Sequence, residues 1–201
     1  MKKILPIFSY LLHPLFIPVY ATAFYFFWTR DFFLPREMYL MLIQTIIITI
    51  FIPIAVFYLL LSLGKIDSIM IEQVTQRKYP LMINALLLFI LIQKSFTLER
   101  TPELFFFFCG GLVSTLLALL FIYLEKKISL HMIGIASLTT FMTGFYLKFQ
   151  IPFTATFAFL MVLNGLVGSS RLQMKAHTVI ELTFGFLCGI LPQLFFWMYW
   201  L

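Results

Sequence analysis

Charged side chains are scarce in this sequence. Asp, Glu, Lys and Arg make up 11% of its 201 residues, against about 25% in a soluble globular domain. So little charge cannot cover a water-facing surface, which excludes an ordinary soluble domain. Acid is scarcer than base, with 8 Asp and Glu against 14 Lys and Arg and a net charge of +6. That excess suits anionic lipid headgroups or an anionic substrate. No basic run of useful length exists, so nucleic acid is not expected as a partner. Cysteine is limited to Cys109 and Cys188, both inside apolar runs. Neither a disulfide nor a cysteine metal site is expected from that spacing. Linkers, internal repeats and low-complexity tracts are also missing, which leaves one integral membrane domain over 1–201.

What is abundant is apolar and aromatic, 62% and 19% of the chain. A helix needs about 20 apolar residues to cross a bilayer, and seven stretches approach this: 5–28, 38–63, 79–92, 104–124, 128–147, 153–167 and 177–200. The third and sixth are short, so the expected fold is an all-α, polytopic transmembrane helix bundle of six or seven spans. Lys2, Lys3 and the Ala21-Thr22-Ala23 triplet have the outline of a secretory signal. Pro6, His13, Pro14 and Pro18 interrupt that run, which favours a first span kinked by proline. Pro53 predicts a second kink. Gly110 and Gly111 predict close helix packing, and Gly168, Ser169 and Ser170 predict an N-cap for the last helix. Trp28, Trp197, Tyr199 and Trp200 fall at segment ends, as interfacial aromatics do.

The stretch 170–189 carries the chemistry. Arg171, Lys175, His177 and Glu181 stand at the mouth of the last apolar segment, where ionisable groups are costly and usually have a partner or a task. His177 and Glu181 are four apart, a spacing that puts them on one helix face. A carboxylate there can take the proton on one ring nitrogen and leave the other nitrogen free to attack. Arg171 offers a planar fork of donors suited to phosphate oxygens. Together they point to phosphoryl transfer through a nucleophilic histidine.

With seven spans, the loops after the second, fourth and sixth share one side. They carry Arg77 and Lys78, then Lys126, Lys127 and His131, then Arg171, Lys175 and His177. Ser129 and its neighbouring backbone N–H groups can hold a phosphate oxygen, and a protonated His131 can supply a proton to a departing alkoxide. Arg77 and Lys78, beside Pro80, form a candidate anion clamp.

Each group also has a structural reading. His177 and Glu181 can be a stabilising pair at a helix end, and His131 a polar tip at an interface. Arg77 and Lys78 can be topology determinants at the headgroups. Lys126 and Lys127 can be snorkelling anchors, and His13 can hydrogen-bond a carbonyl freed by Pro14. The three histidines also allow a haem-binding bundle with paired axial ligands.

The three pieces, in this order, resemble the signature motifs of the type 2 phosphatidic acid phosphatase superfamily, K-x6-R-P, P-S-G-H and S-R-x5-H-x3-D. Ser170, Arg171 and His177 match the third, with Glu181 in place of aspartate. Ser129 and His131 match the second, with Ile128 for proline and Leu130 for glycine. Arg77 is the candidate arginine of the first, where Met70 stands in place of lysine and proline follows only at Pro80. The resemblance implies a lipid phosphate or diphosphate substrate, no cofactor and no metal. His177 would be the nucleophile, Glu181 its orienting group and His131 the acid. Arg77, Arg171, Lys78, Ser129 and Ser170 would hold phosphate oxygens. It further implies a multi-pass protein of the bacterial inner membrane. The alternative is a catalytically decayed relative that binds an anionic lipid or a protein partner with the same basic surface. Nine of the 14 Lys and Arg fall on the side of the motifs, which favours the cytoplasm; bacterial members of the resembled family face the periplasm, and both orientations stay open.

Overall fold

The computed structural model describes residues 5–67 and 75–201. Among them are eight α-helices: α1 (Leu5–Leu11), α2 (Ile17–Thr29), α3 (Pro35–Ser62), α4 (Lys78–Ser95), α5 (Pro102–Tyr123), α6 (Leu130–Lys148), α7 (Thr154–Gln173) and α8 (Val179–Trp200). Five of them, α3, α5, α6, α7 and α8, are long and apolar enough to cross a membrane. The chain is all-helical and membrane-type, as expected, but its first segment is not one kinked span. Residues 12–16 form a turn that separates α1 from α2. Pro14 and Pro18 lack the N–H groups that would carry a helix across it.

α6 is the most enclosed spanning helix and α3 the least. α6 and α5 both pack against α8, α4 covers α5, and α7 packs against α6. α1 folds back onto α7. The core is aromatic, with Phe107, Phe108, Phe141 and Phe145 nearly inaccessible.

Two glycines set the closest approach. A Cβ on Gly185 would lie 2.6 Å from the Ser129 carbonyl oxygen, and one on Gly189 would lie 2.5 Å from that of Ile133. The four-residue spacing puts both on the α8 face that meets α6, a small-residue contact of the kind membrane helices use. Of the two glycines expected to allow close packing, Gly110 meets the Gln193 side chain and Gly111 faces open space.

Proline shapes two spans. Before Pro53, α3 widens into a π turn over Ile47–Phe51, which relieves the clash between the ring and the preceding turn. Pro192 lies inside α8 and leaves the Cys188 carbonyl without its helical donor. The Ser114 hydroxyl of α5 donates to that carbonyl over 2.8 Å. A freed backbone group is thus satisfied by a neighbouring helix, as the apolar interior requires.

Glu103 falls just before the apolar stretch 104–124. It lies in the first turn of α5, buried, with Lys148 Nζ 2.7 Å from one carboxylate oxygen. The Tyr25 hydroxyl donates to the other over 3.2 Å. This pair ties α2, α5 and the end of α6 together.

Candidate functional site

The stretch 168–170 does not cap the last helix; α7 runs through it to Gln173. The chain then reverses at Lys175, in the left-handed region at φ 51°. The Lys175 and Ala176 N–H groups donate to the carbonyls of Leu172 and Arg171, 3.0 and 3.1 Å away. This is a Schellman closure with lysine in the position glycine usually takes. Thr178 caps α8: its hydroxyl accepts from the Glu181 N–H, and the Glu181 carboxylate accepts from the Thr178 N–H, each over 3.3 Å.

His177 therefore precedes the helix rather than sharing its face. Its Nδ1 donates to Glu181 Oε2 over 2.7 Å, the same oxygen that closes the capping box. One carboxylate both fixes the start of α8 and holds the imidazole. The capping-box position takes Glu or Gln, which gives a glutamate at position 181 a local reason. The His177 side chain is 3% exposed. Burial lowers its pKa to about 4; Lys127 and Arg171 act in the same direction and the Glu181 carboxylate opposes them. The ring is neutral at pH 7, with its proton on Nδ1 and a lone pair on Nε2.

The second piece is joined to the third through backbone. The Ser129 N–H donates to the Glu181 carbonyl over 3.3 Å. The Ser129 hydroxyl caps α6, accepting from the Met132 N–H over 3.4 Å, and is fully buried. His131, in the first turn of α6, donates from Nε2 to the Ser9 carbonyl over 3.1 Å. The Ser170 hydroxyl is also buried, 2.6 Å from that of Ser9. Of the residues expected to face phosphate, Ser129, Ser170 and His131 thus make their hydrogen bonds to the protein.

Arg171 stands among these groups. Its charge acts on His131, His177 and Arg77. Among the described residues it forms no ion pair. Its Nη1 lies 3.8 Å from the Met174 sulfur, and its buried Nε has no acceptor. An ion half-withdrawn from water without an opposite charge is unfavourable. Arg77 reaches the same cluster: burial first, then the Arg171 charge, lowers its pKa, and Glu181 opposes them. It remains a cation at any physiological pH. Lys78 is directed elsewhere, its ammonium 5.0 Å from the centre of the Tyr79 ring. Met70 lies outside the described residues.

An open depression of about 380 Å³ is bordered by Lys127, Lys175, His177, Thr178 and Glu181. Leu172, which also lines it, and Val179 and Ile180, next in sequence to Thr178, are exposed. Lys127 was read as an anchor; here it borders this depression and its charge acts on His177. His13 was read as a partner for a freed carbonyl. Its ring instead stands edge-on to His131, with centroids 5.1 Å apart, a separation too small for a haem between them. Only position in the primary structure could have pointed to Lys127, two residues before Ser129. Nothing local pointed to Ser9 or His13.

No family model matches the chain, and no curated protein or solved structure is significantly similar to it.

Proposed function

We propose that this protein is a membrane-embedded phosphatase for a lipid phosphate or diphosphate, similar in chemistry to the type 2 phosphatidic acid phosphatases and resident in a bacterial inner membrane. The observation that carries the reading is the His177–Glu181 contact of 2.7 Å beside an Arg171 whose buried Nε lacks an acceptor. A neutral imidazole with its Nδ1 proton held by a carboxylate presents its Nε2 lone pair to an electrophile. A cation without a counter-ion among the described residues offers a place where the phosphoryl oxygens would bind.

In this mechanism His177 Nε2 attacks phosphorus, and the bond from phosphorus to the lipid oxygen breaks. The leaving oxygen takes a proton from His131, which acts in its doubly protonated form and is left as the neutral imidazole. Glu181 stabilises the imidazolium character that develops on His177. Water then attacks the phosphohistidine and gives a proton to His131, which restores the acid; the phosphorus–nitrogen bond breaks, and inorganic phosphate leaves with the His177 imidazole restored. Arg171 and Arg77 balance charge on the equatorial oxygens. The exposed Leu172, Val179 and Ile180 give an acyl or prenyl tail an apolar path to the depression.

A second reading, an anionic-lipid binder without catalysis, is favoured by one observation: the Ser9 carbonyl occupies the His131 proton that the leaving oxygen needs. Phosphate release from phosphatidate, phosphatidylglycerophosphate and polyprenyl mono- and diphosphates, measured on purified protein with and without chelator, separates the two. Release that survives chelator and is lost in His177→Ala supports the phosphatase. Absence of release, or release that persists in His177→Ala, favours the binder.

A further inference from the structure

The turn between α1 and α2 brings a third imidazole to the site. His13 lies on that turn, its ring at 88° to the His131 ring, and the Arg171 charge acts on it as well. The turn is held in place from both sides: the Pro14 Cα lies 3.7 Å from where a Gly134 Cβ would stand, and the Tyr20 hydroxyl donates to the Leu11 carbonyl over 2.8 Å.

The hydrogen bonds assign the tautomers. The Leu15 N–H donates to His13 Nδ1 over 3.3 Å. A ring nitrogen that accepts carries no proton, so the proton of the neutral ring is on Nε2. His131 also carries its proton on Nε2, since it donates from there to the Ser9 carbonyl. His177 is the reverse, with Nδ1 protonated toward Glu181 and Nε2 bare. Around one arginine, then, the His177 imidazole offers a lone pair and the His13 imidazole an N–H donor, while the His131 N–H is held by the Ser9 carbonyl. A phosphate monoester needs that asymmetry: its phosphorus accepts a lone pair, and its oxygens accept hydrogen bonds. Among the described residues no protein acceptor takes the His13 Nε2 proton.

We propose that His13 is a phosphate ligand of this site, donating from Nε2 to a non-bridging oxygen that Arg171 also holds. This rests on the phosphate-binding reading above and adds to it a residue from outside the three motifs. His13 is a binding residue here, and the nucleophile and the acid stay His177 and His131.

The test uses the full chain in detergent with inorganic phosphate as probe. The protein has three histidines, so acylation by diethyl pyrocarbonate can be followed at each by peptide mass spectrometry. Saturating phosphate is expected to slow acylation of His13 together with that of His177. His13→Ala is expected to weaken phosphate binding about tenfold, the usual scale for one hydrogen bond to a charged group. His13→Gln, which keeps an N–H donor at similar reach, is expected to recover most of it. Unchanged His13 acylation while His177 is protected would overturn the assignment, as would His13→Ala that binds phosphate as tightly as the unaltered protein. An unaltered protein that binds no phosphate at all would overturn this assignment and the phosphate reading together, which distinguishes the two failures.

Discussion

Ser9 and His131 are 122 residues apart in sequence, and the Ser9 carbonyl accepts the His131 Nε2 proton over 3.1 Å. In the proposed reaction the departing oxygen would take the place of that backbone oxygen of α1, so α1 would have to shift for His131 to act as an acid. The Ser9 and Ser170 hydroxyls, 2.6 Å apart, are close enough to be replaced by a disulfide. Ser9→Cys with Ser170→Cys is expected to lose phosphate release when oxidised and regain it on reduction, with the two single variants as controls. Equal release from the oxidised and reduced forms would show that α1 need not move.

The Glu181 carboxylate has two tasks, and one substitution separates them. Glutamine retains the capping box but holds no negative charge beside the imidazole. Glu181→Gln is expected to lower phosphate release by about 10²–10⁴-fold while thermal unfolding stays close to that of the unaltered protein. A large drop in the unfolding temperature with little change in release would assign Glu181 to the helix end alone.

The pH dependence follows from His177. Its folded pKa is about 4, below the roughly 6.5 of a free imidazole. Its lone pair is therefore present at neutral pH and lost only as pH falls through about 4. Between about 6.5 and that value the unfolded chain binds a proton that the folded chain does not, so stability falls as pH falls. The acid limb of the release profile is expected well below 6, and a limb centred near 6.5 would mean a solvated His177.

Close approach of α8 to α6 carries Ser129 and His131 toward His177 and Glu181. Gly185→Ala places a methyl group 2.6 Å from the Ser129 carbonyl, an overpacking that costs roughly 1–3 kcal/mol. The helices must separate, which stretches the Ser129–Glu181 backbone contact. A lower unfolding temperature with a disproportionate loss of release is expected. Gly111→Ala, where nothing lies within 4 Å, is the control and should change neither.

The candidate site was legible where its parts are contiguous. Arg171, His177 and Glu181 fall within 11 residues, and their types and spacing are what suggested the proposed phosphoryl transfer. The manner of their meeting was not legible. A spacing of four suggested one helix face, whereas the pair forms across the start of α8, because Thr178 caps the helix one residue after His177. The end of α7 was misplaced for a related reason. Gly168, Ser169 and Ser170 are weak helix formers, yet packing of α1 against α7 and burial of Ser170 keep them helical.

By itself the sequence determined the solvent this chain requires and the order of its helices. So few charges over such long apolar runs are compatible only with backbone hydrogen bonds made internally, which in lipid means helices when no strand pattern is present. The sequence placed Arg77, His131, Arg171 and His177 on one side of the bundle; only the tertiary structure decided how they meet and which other polar groups join them. Ser9, His131 and Arg171 come from three different helices and His13 from the turn after the first, so no local pattern encodes their meeting. Packing through Gly185 and Gly189, and the turn at 12–16 that folds α1 over α7, supply that information, because in a membrane bundle the contacts are set by shape rather than by hydrophobic periodicity.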